Sequence, residues 1–430
     1  MIKNYFIIAL RNIKRYSAHS VLNISGMAIG MACAILILLW VQDEWSYDRH
    51  FDHADNLYRV LENQNYAEGK LYQEATTPSP LAAALKNEYP EIIRSSRYLS
   101  LPIPLPLGDE FILEELASVD NDFLEIFDVR FIQGDKKSAL AGLHNIVITE
   151  EMANKYFGNE NPLGKSFTVM KQFGFTITGI VKSLPQNSHI QFDFLVPFEF
   201  LTELGANTND WGSIQCFTYI QLDKETNSEI TDKKILNFLK KDNKQPNTEI
   251  FLQNIKNIHL FSSGKYAGDI SGHGDITYVR ILGLIAIFIL IIACINFMNL
   301  STAQSARRAR EISVRKVAGA NKRKIIVQFL GESILLVFIA HVIAMILVEL
   351  MLPSFNNLIG KQLSVNYQSA GLYIGLISVV LFCGLLGGSY PALYLSSLKP
   401  LNIMKGIINK NPGNAGFRRV LVVLQFSLSV

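Results

Sequence analysis

The chain has 430 residues, 49% of them apolar and 18% charged, with a mean hydropathy of +0.21. Soluble domains carry about a quarter charged residues, and disorder needs low hydrophobicity with high charge, so the composition weighs against a wholly soluble chain and rules out a disordered one. Lys and Arg number 40 against 37 Asp and Glu, a formal charge of +3, and that near-neutrality hides a separation along the chain.

Residues 1–20 carry Lys3, Arg11, Lys14 and Arg15 and no acid, and read as a basic N-terminal helix. Residues 21–41 follow without a charge. At a rise of 1.5 Å per residue they cover about 30 Å, the thickness of a hydrocarbon core. The run is longer than the apolar part of a signal peptide and no Ala-x-Ala site follows it. Cys33, after Gly30-Met31-Ala32, resembles a lipoprotein cleavage site, but the apolar run continues well past it. An uncleaved first transmembrane helix is expected.

Residues 42–277 hold 21 basic and 34 acidic residues, a net of −13, while the remainder holds 19 and 3, a net of +16. This segment is long enough to bury a core of its own. Residues 57–62 and 70–76 read as strands around a turn, and 78–89 as a helix with proline in its first turn. Residues 145–149 and 173–181 are strand-like, and 122–127 and 150–157 read as short helices. The polar stretch 223–247 reads as a helical insertion or a lobe junction. The segment is an α+β domain of one or two lobes.

Cys33, Cys294 and Cys383 fall in apolar runs, leaving Cys216 alone in the outer segment, so the domain is held by its core and not by a disulfide. No Cys/His spacing matches a metal site. His144, His189, His259 and His273 are expected as surface or capping residues. Gly158-Asn-Glu-Asn-Pro-Leu-Gly164-Lys165-Ser166 imitates a phosphate-binding loop, but the first glycine stands one residue too early. It reads as a turn between a helix and a strand. No catalytic signature, cofactor site or metal site is expected.

Residues 281–300 form a second uncharged run. A basic helix over 303–318 follows it, with Arg307, Arg308, Arg310, Arg315 and Lys316 against Glu311, which stands four residues from both Arg307 and Arg315. Gly319 is placed to end this helix and Asn321 to cap the next. Lipid attraction alone needs neither Glu311 nor the tight corner. Residues 329–352 form the third run, with Glu332 near one end, His341 in the middle and Glu349 near its outer end, the last two read as serving helix contact and interface anchoring in preference to an intramembrane relay. Residues 372–395 form the fourth, broken late by Gly387, Gly388 and Pro391. Residues 396–419 are basic without an acid, and the connection 353–370 has only Lys361. Basic loops alternate with non-basic ones, which places the N-terminus in the cytoplasm and 42–277 outside. Residues 420–430 are apolar and too short to cross a bilayer.

Here the sequence resembles a family. Arg308-Ala-Arg-Glu311-Ile-Ser-Val-Arg315-Lys316-Val-Ala-Gly319-Ala is similar to the cytoplasmic helix of the FtsX/MacB-type permeases of ABC transporters. Asn23–Gly30 resembles the family's first span. Val119–Phe127 with Gln133-Gly-Asp135, and Tyr156-Phe-Gly158 with Asn161–Lys165, resemble its MacB-like periplasmic core. Gly387-Gly-Ser-Tyr-Pro-Ala392 with Leu398-Lys-Pro400 resembles the end of its fourth span. The order of these pieces covers essentially the whole chain.

The expected fold is a multi-pass α-helical membrane protein of the bacterial inner membrane. It has four complete transmembrane helices, the start of a fifth, and a large α+β extracytoplasmic domain between helices 1 and 2. Its parts are a cytoplasmic helix 1–20, a first span 21–41, the outer domain 42–277, a permease domain 278–395, a linker 396–419 and the opening of a fifth span 420–430. That last segment implies the first half of a longer, duplicated permease, which a stop codon directly after Val430 would refute.

The resemblance implies a non-catalytic subunit whose ATPase partner is a separate chain docking on Arg307, Arg308, Arg310, Glu311, Arg315 and Lys316. Hydrolysis there would move the outer domain, for export or extraction of an amphipathic peptide, antibiotic or lipoprotein. The alternative is ATPase-driven regulation of a cell-wall hydrolase. A dimeric arrangement, as a homodimer or with a duplicated half, membrane lipid and a periplasmic adaptor or hydrolase are the other implied partners, and no nucleic acid.

Overall fold

The computed structural model describes residues 17–65, 71–169, 172–212, 215–317 and 321–397, with isolated positions between 416 and 427. The expected basic N-terminal helix up to residue 16, the linker from 398 to 415 and half of 417–430 lie outside the described residues. Two compact units share the chain: residues 44–276, and residues 1–43 with 277–430.

The first helix, α1 (Ser17–Ser46), contains the expected first span. The unit 44–276 is built on one mixed sheet, twelve-stranded among the described residues. Its strands are β1 (Leu57–Asn65), β2 (Leu71–Glu74), β3 (Thr77–Pro78), β4 (Ile92–Leu107), β5 (Glu110–Val119), β6 (Phe131–Gly134), β7 (Asn145–Thr149), β8 (Ser166–Val169), β9 (Phe173–Val181), β10 (Phe194–Pro197), β11 (Gln215–Leu222) and β12 (Thr248–Asn254). The order across the sheet is β12-β1-β11-β4-β5-β10-β7-β9-β6, with β2 on β1, β3 on β11 and β8 on β9. Helices α2 (Leu81–Glu88), α3 (Asp122–Ile126), α4 (Glu150–Phe157), α5 (Ser228–Ile235) and α6 (Ile258–Phe261) lie between the strands in sequence.

A single sheet thus runs through what the sequence left as one or two lobes, and the cores divide by its ends. Residues from α2, α5, β1, β11 and β12 form one cluster around Leu81, Leu85, Ile220 and Ile235. At the other end α4 packs Met152 and Ala153 on Ile146, Ile148, Phe175 and Ile177. Between them Phe123, Phe127, Ala117, Val119, Phe217 and Tyr219 form the largest cluster.

Local chemistry explains several boundaries. Thr149 caps α4 by accepting from the Met152 N–H at 3.3 Å, and Glu150 and Glu151 stand in its first turn, where acids favour the helix dipole. Gly158 ends α4, and the segment to Ser166 is the turn into β8. The helix expected over 78–89 starts at Leu81 instead, because Thr77 and Pro78 form a short strand against Cys216 and Gln215.

A long hairpin, β4 and β5, has no counterpart in the sequence reading. Pro102, Pro104 and Pro106 disguise it, since proline cannot donate within a ladder. Here they are tolerated because β11 pairs with β4 only as far as Tyr98, leaving that edge of residues 99–107 without a strand partner among the described residues. The turn is the two residues Gly108 and Asp109, and Gly108 supplies the positive φ (62°) such a turn needs.

One buried acid gives this unit a pH signature. Glu62 on β1 has no exposed surface, and Gln64 Nε2 donates both to its Oε2 at 3.2 Å and to Glu74 Oε2 at 3.3 Å. Burial raises the Glu62 carboxyl, the Gln64 hydrogen bond opposes and Glu74 adds to the rise, leaving it at about 7 against an ordinary 4.5. A folded value above the unfolded one means that stability present below pH 4.5 is lost as pH rises toward 7, about 3 kcal/mol in all. Urea unfolding of the full chain at pH 4.5, 6 and 7.5 is expected to show that decline, and Glu62→Gln to remove it. An unchanged pH slope in the variant would refute the assignment.

The remaining helices are α7 (Ile276–Val317), α8 (Lys322–Ile359) and α9 (Ala370–Ser397). Each contains a stretch apolar and long enough to cross a membrane, as does α1. The basic helix expected after the second span is no separate element, since α7 runs unbroken for 42 residues. The fourth span is likewise not broken at Gly387, Gly388 and Pro391, because α9 continues through all three to Ser397. Proline is tolerated in a spanning helix when neighbours satisfy the freed carbonyl, and α8 passes through Pro353 in the same way.

The four helices pack through small residues. A Cβ at Gly30 would come within 2.8 Å of Ala293 Cβ, tying α1 to α7, and one at Gly26 within 3.3 Å of Asn296. Gly384 and Gly388 face Ile334 and Ser333 of α8 at 2.8 and 2.7 Å, and Gly387 faces Phe297 of α7 at 2.6 Å. Both pairs, 26 with 30 and 384 with 388, have the four-residue spacing that lets helix backbones approach in lipid, where hydrophobicity does not drive helix association. Val337, Ala340, Ala344 and Val348 of α8 complete this core.

Candidate functional site

The end of α7 is the first candidate. A helix of 42 residues is about 63 Å long, twice a hydrocarbon core, so its last turns project beyond the span that ends at Ala303. The backbone of 304–317 is helical, but the side chains of Arg307, Arg308, Arg310, Glu311 and Arg315, and all of Gly319, lie outside the described residues.

What is described shows how this end is held. Ile312 is buried against Ile325 of α8, with Phe329 and Tyr394 packed on them, so α7, α8 and α9 meet there. Lys316 Nζ donates to the Ser396 carbonyl at 2.7 Å, satisfying a last-turn acceptor of α9 and placing positive charge at that helix's negative end. Burial, and then neighbouring Lys322, lower the Lys316 pKa. Asn321 caps α8, its Oδ1 accepting from the Arg323 N–H at 3.4 Å.

Two residues here escaped the sequence reading. Val314 and Val317 are 69% and 71% exposed. Helix geometry puts positions 310, 314 and 317 on one face, turned away from Ile312. The signal was available: apolar residues at i and i+3 within a basic helix.

Elsewhere in the membrane helices, Asn23 Nδ2 donates to Ser301 Oγ at 3.4 Å, joining α1 to α7. Within α8, His341 is buried and its Nδ1 has no hydrogen-bond partner among the described residues, while Glu349 accepts from the Tyr367 hydroxyl beyond the helix end.

The second candidate lies wholly within residues 44–276. A cavity of about 520 Å³ is lined by Tyr47, Tyr98, Pro102, Glu115, Phe217 and the loop from Gly268 to His273, among others. Two of the histidines expected at the surface are buried beside it. His189 bridges Asp48 Oδ1 and the Tyr219 hydroxyl at 2.8 Å on either side. His259 Nε2 lies 2.8 Å from Glu44 Oε2, with Tyr47 stacked on its ring at 3.4 Å. Sequence reasoning misplaced both because their carboxylate partners stand 141 and 215 residues away. His144 remains near the surface, beside Glu203.

Arg59 has no exposed surface, and its Nη1 and Nη2 donate to Asp269 at 2.5 and 3.1 Å. Gln253 Oε1 accepts from Nη2 at 2.9 Å, and His273 Nε2 lies 3.0 Å from Asp269 Oδ2, the oxygen that also accepts from Nη2. Burial pushes the Asp269 carboxyl up, but His273 and Arg59 outweigh it and hold it at about 2. Cys216 is buried, which lifts its thiol to about 12 and leaves it unreactive.

Four membrane-spanning helices with a large α+β domain inserted between the first and second describe a multi-pass membrane protein of the permease class. The family model of the MacB-like periplasmic core domain matches residues 20–238, and that of the FtsX-like permease C-terminal matches residues 283–400. The chain belongs to the FtsX/MacB-type ABC transporter permeases.

Among its relatives, an uncharacterized ABC transporter permease of Bacillus subtilis, YvrN, is 23% identical over 422 residues, covering 93% of this chain and 98% of that protein. The macrolide export ATP-binding/permease protein MacB of Pasteurella multocida is 20% identical over 404 residues, and the match spans 92% of this chain but 59% of MacB. A solved domain of a permease protein from Porphyromonas gingivalis shares 23% identity, covering 48% of this chain and 92% of that one, at a TM-score of 0.43. The periplasmic region of MacB from Actinobacillus actinomycetemcomitans shares 17%, covering 48% and 91%, at 0.37.

Proposed function

We propose that this permease couples ATP hydrolysis by a separate cytoplasmic ATPase to movement of its extracytoplasmic domain, exporting or extracting an amphipathic substrate. In this reading residues 1–20 and 396–419 are cytoplasmic, 42–277 face the outside of a bacterial plasma membrane, and 278–395 form the permease domain. The ATPase docks on 303–318 through Arg307, Arg308, Arg310, Glu311 and Arg315, with Lys316 at the base bound to Ser396, and Val314 and Val317 add apolar contact area.

The observation that carries this reading is the continuity of α7 from Ile276 to Val317. A helix without a break transmits a push or tilt at one end to the other, whereas a separate amphipathic helix on the surface would absorb it. The packing of Ile312 and Lys316 against α8 and α9 extends the same displacement to those helices.

The test is charge reversal. Co-expressed with its cognate ABC-type ATPase, the full chain is expected to form a complex that survives affinity and size-exclusion chromatography, and Arg315→Glu combined with Glu311→Arg to weaken it at least about tenfold. An unaltered complex in the double variant, with the chain folded, would remove this helix from the interface.

A further inference from the structure

The cavity in the extracytoplasmic domain and the outer face of the β4–β5 hairpin are parts of one surface. We propose that together they form a binding track for a small amphipathic cation, an apolar chain or ring system ending in an ammonium group. The proposal rests on the export reading above and adds to it a site and a charge.

Strand register carries the argument. Side chains two apart share a face of a sheet, and the pairs Tyr98 with Val119, Pro102 with Glu115, and Pro104 with Leu113 lie on one face of the hairpin. The same face has three fates along its length. At Tyr98 and Val119 it is covered by the central core. At Pro102 and Glu115 that cover ends and the cavity opens. At Pro104 and Leu113 it is exposed, Leu113 by 67%. On the opposite face Ile103, Leu105 and Leu116 are buried against the β7–β9 core, while Leu101 is 46% exposed.

The occupant follows from chemistry. A volume of about 520 Å³ suits a drug-sized ligand, and the rings of Tyr47, Tyr98 and Phe217 line it. Asp269 in its wall is neutralised by Arg59. Glu115 accepts from Ser100 Oγ at 2.7 Å, and among the described residues no Lys or Arg pairs with it. A buried or half-buried carboxylate beside aromatic rings favours an ammonium by charge pairing and by cation–π attraction, and the net −13 of residues 42–277 attracts the same sign. The apolar part of the ligand then lies on the proline–leucine stripe. Three prolines leave that edge of β4 short of N–H donors, so it does not take up a peptide by strand addition, which favours a small amphiphile as occupant.

The probe is the dansyl amide of 1,8-diaminooctane, with the dansyl amide of 8-aminooctanoate as its anionic counterpart. Each is titrated by fluorescence anisotropy into the full chain in phosphatidylcholine nanodiscs, with empty nanodiscs subtracted. The amine is expected to bind at least about tenfold more tightly than the carboxylate. Glu115→Gln should remove that preference, and Leu113→Lys, at an exposed position, should weaken the amine about tenfold with the thermal midpoint unchanged. Equal affinities for the two probes, or variants within about twofold of wild type, would overturn the proposal. The ATPase-binding assay separates this from the export reading: a complex that forms while the amine fails to bind rejects the track alone, and binding without a complex rejects the coupling alone.

Discussion

Replacing Arg59 by alanine is expected to destabilise the extracytoplasmic domain by about 3–5 kcal/mol, the range found when one partner of a buried ion pair is removed. The guanidinium is fully buried, and Asp269 depends on it for two hydrogen bonds. Without it the carboxylate stays buried with only His273 and the Ile270 N–H as described partners, and Gln253 and Ser262 lose a shared donor. For a domain of this size the loss corresponds to a fall in melting temperature on the order of 10 °C, measurable by differential scanning fluorimetry of the full chain.

A double replacement tests the cause. Arg59→Met with Asp269→Leu should recover most of the loss, since an apolar pair removes the stranded charge. The pH dependence has a definite sign. With Asp269 held at about 2 against an ordinary 3.8, its contribution of about 2 kcal/mol is present above pH 4 and is lost as pH falls toward 2. The Arg59→Ala protein should lack that acid limb. A melting temperature within about 2 °C of wild type would show that the pair does not hold the domain together.

The second large effect is expected in the membrane. Gly384→Val and Gly388→Val each insert a branched side chain where a single Cβ would already sit within 2.8 Å of Ile334 or 2.7 Å of Ser333. Overpacking of this kind costs about 1–3 kcal/mol per site, and the two sites lie on the same seam between α8 and α9, so their effects couple. The double variant is expected to lose most of its monodisperse fraction on size-exclusion chromatography. Gly375→Val on the same helix is the control, because nothing lies within 4 Å of its added Cβ. If both substitutions behave alike, close approach at Gly384 and Gly388 does not organise the bundle.

Legibility differed by element. The four spans and the family were readable because hydrophobic length and charge asymmetry are properties of contiguous residues. Strands β7 and β9 and helix α4 were equally plain, each marked by a local run or cap. The hairpin β4–β5 was hidden because its prolines are forbidden in a central strand and allowed only at an edge, and being an edge is decided by which strand fails to pair there. The spacing of Gly384 and Gly388 was visible, yet only the position of α8 shows which side of α9 they serve.

By itself, then, the sequence determined which four runs are long and apolar enough to cross a membrane, that −13 lies on residues 42–277 and +16 on the rest, and which helix carries the basic residues. Tertiary structure decided what those charges do. It made the basic helix the end of a 42-residue rod and gave Lys316 to Ser396. It buried His189, His259 and Arg59 beside acids as many as 215 residues distant, and it left Glu115 facing a cavity without a basic partner among the described residues. Hydropathy and helix periodicity act between near neighbours in sequence, whereas burial, pairing and desolvation act between neighbours in space, which only the folded chain creates.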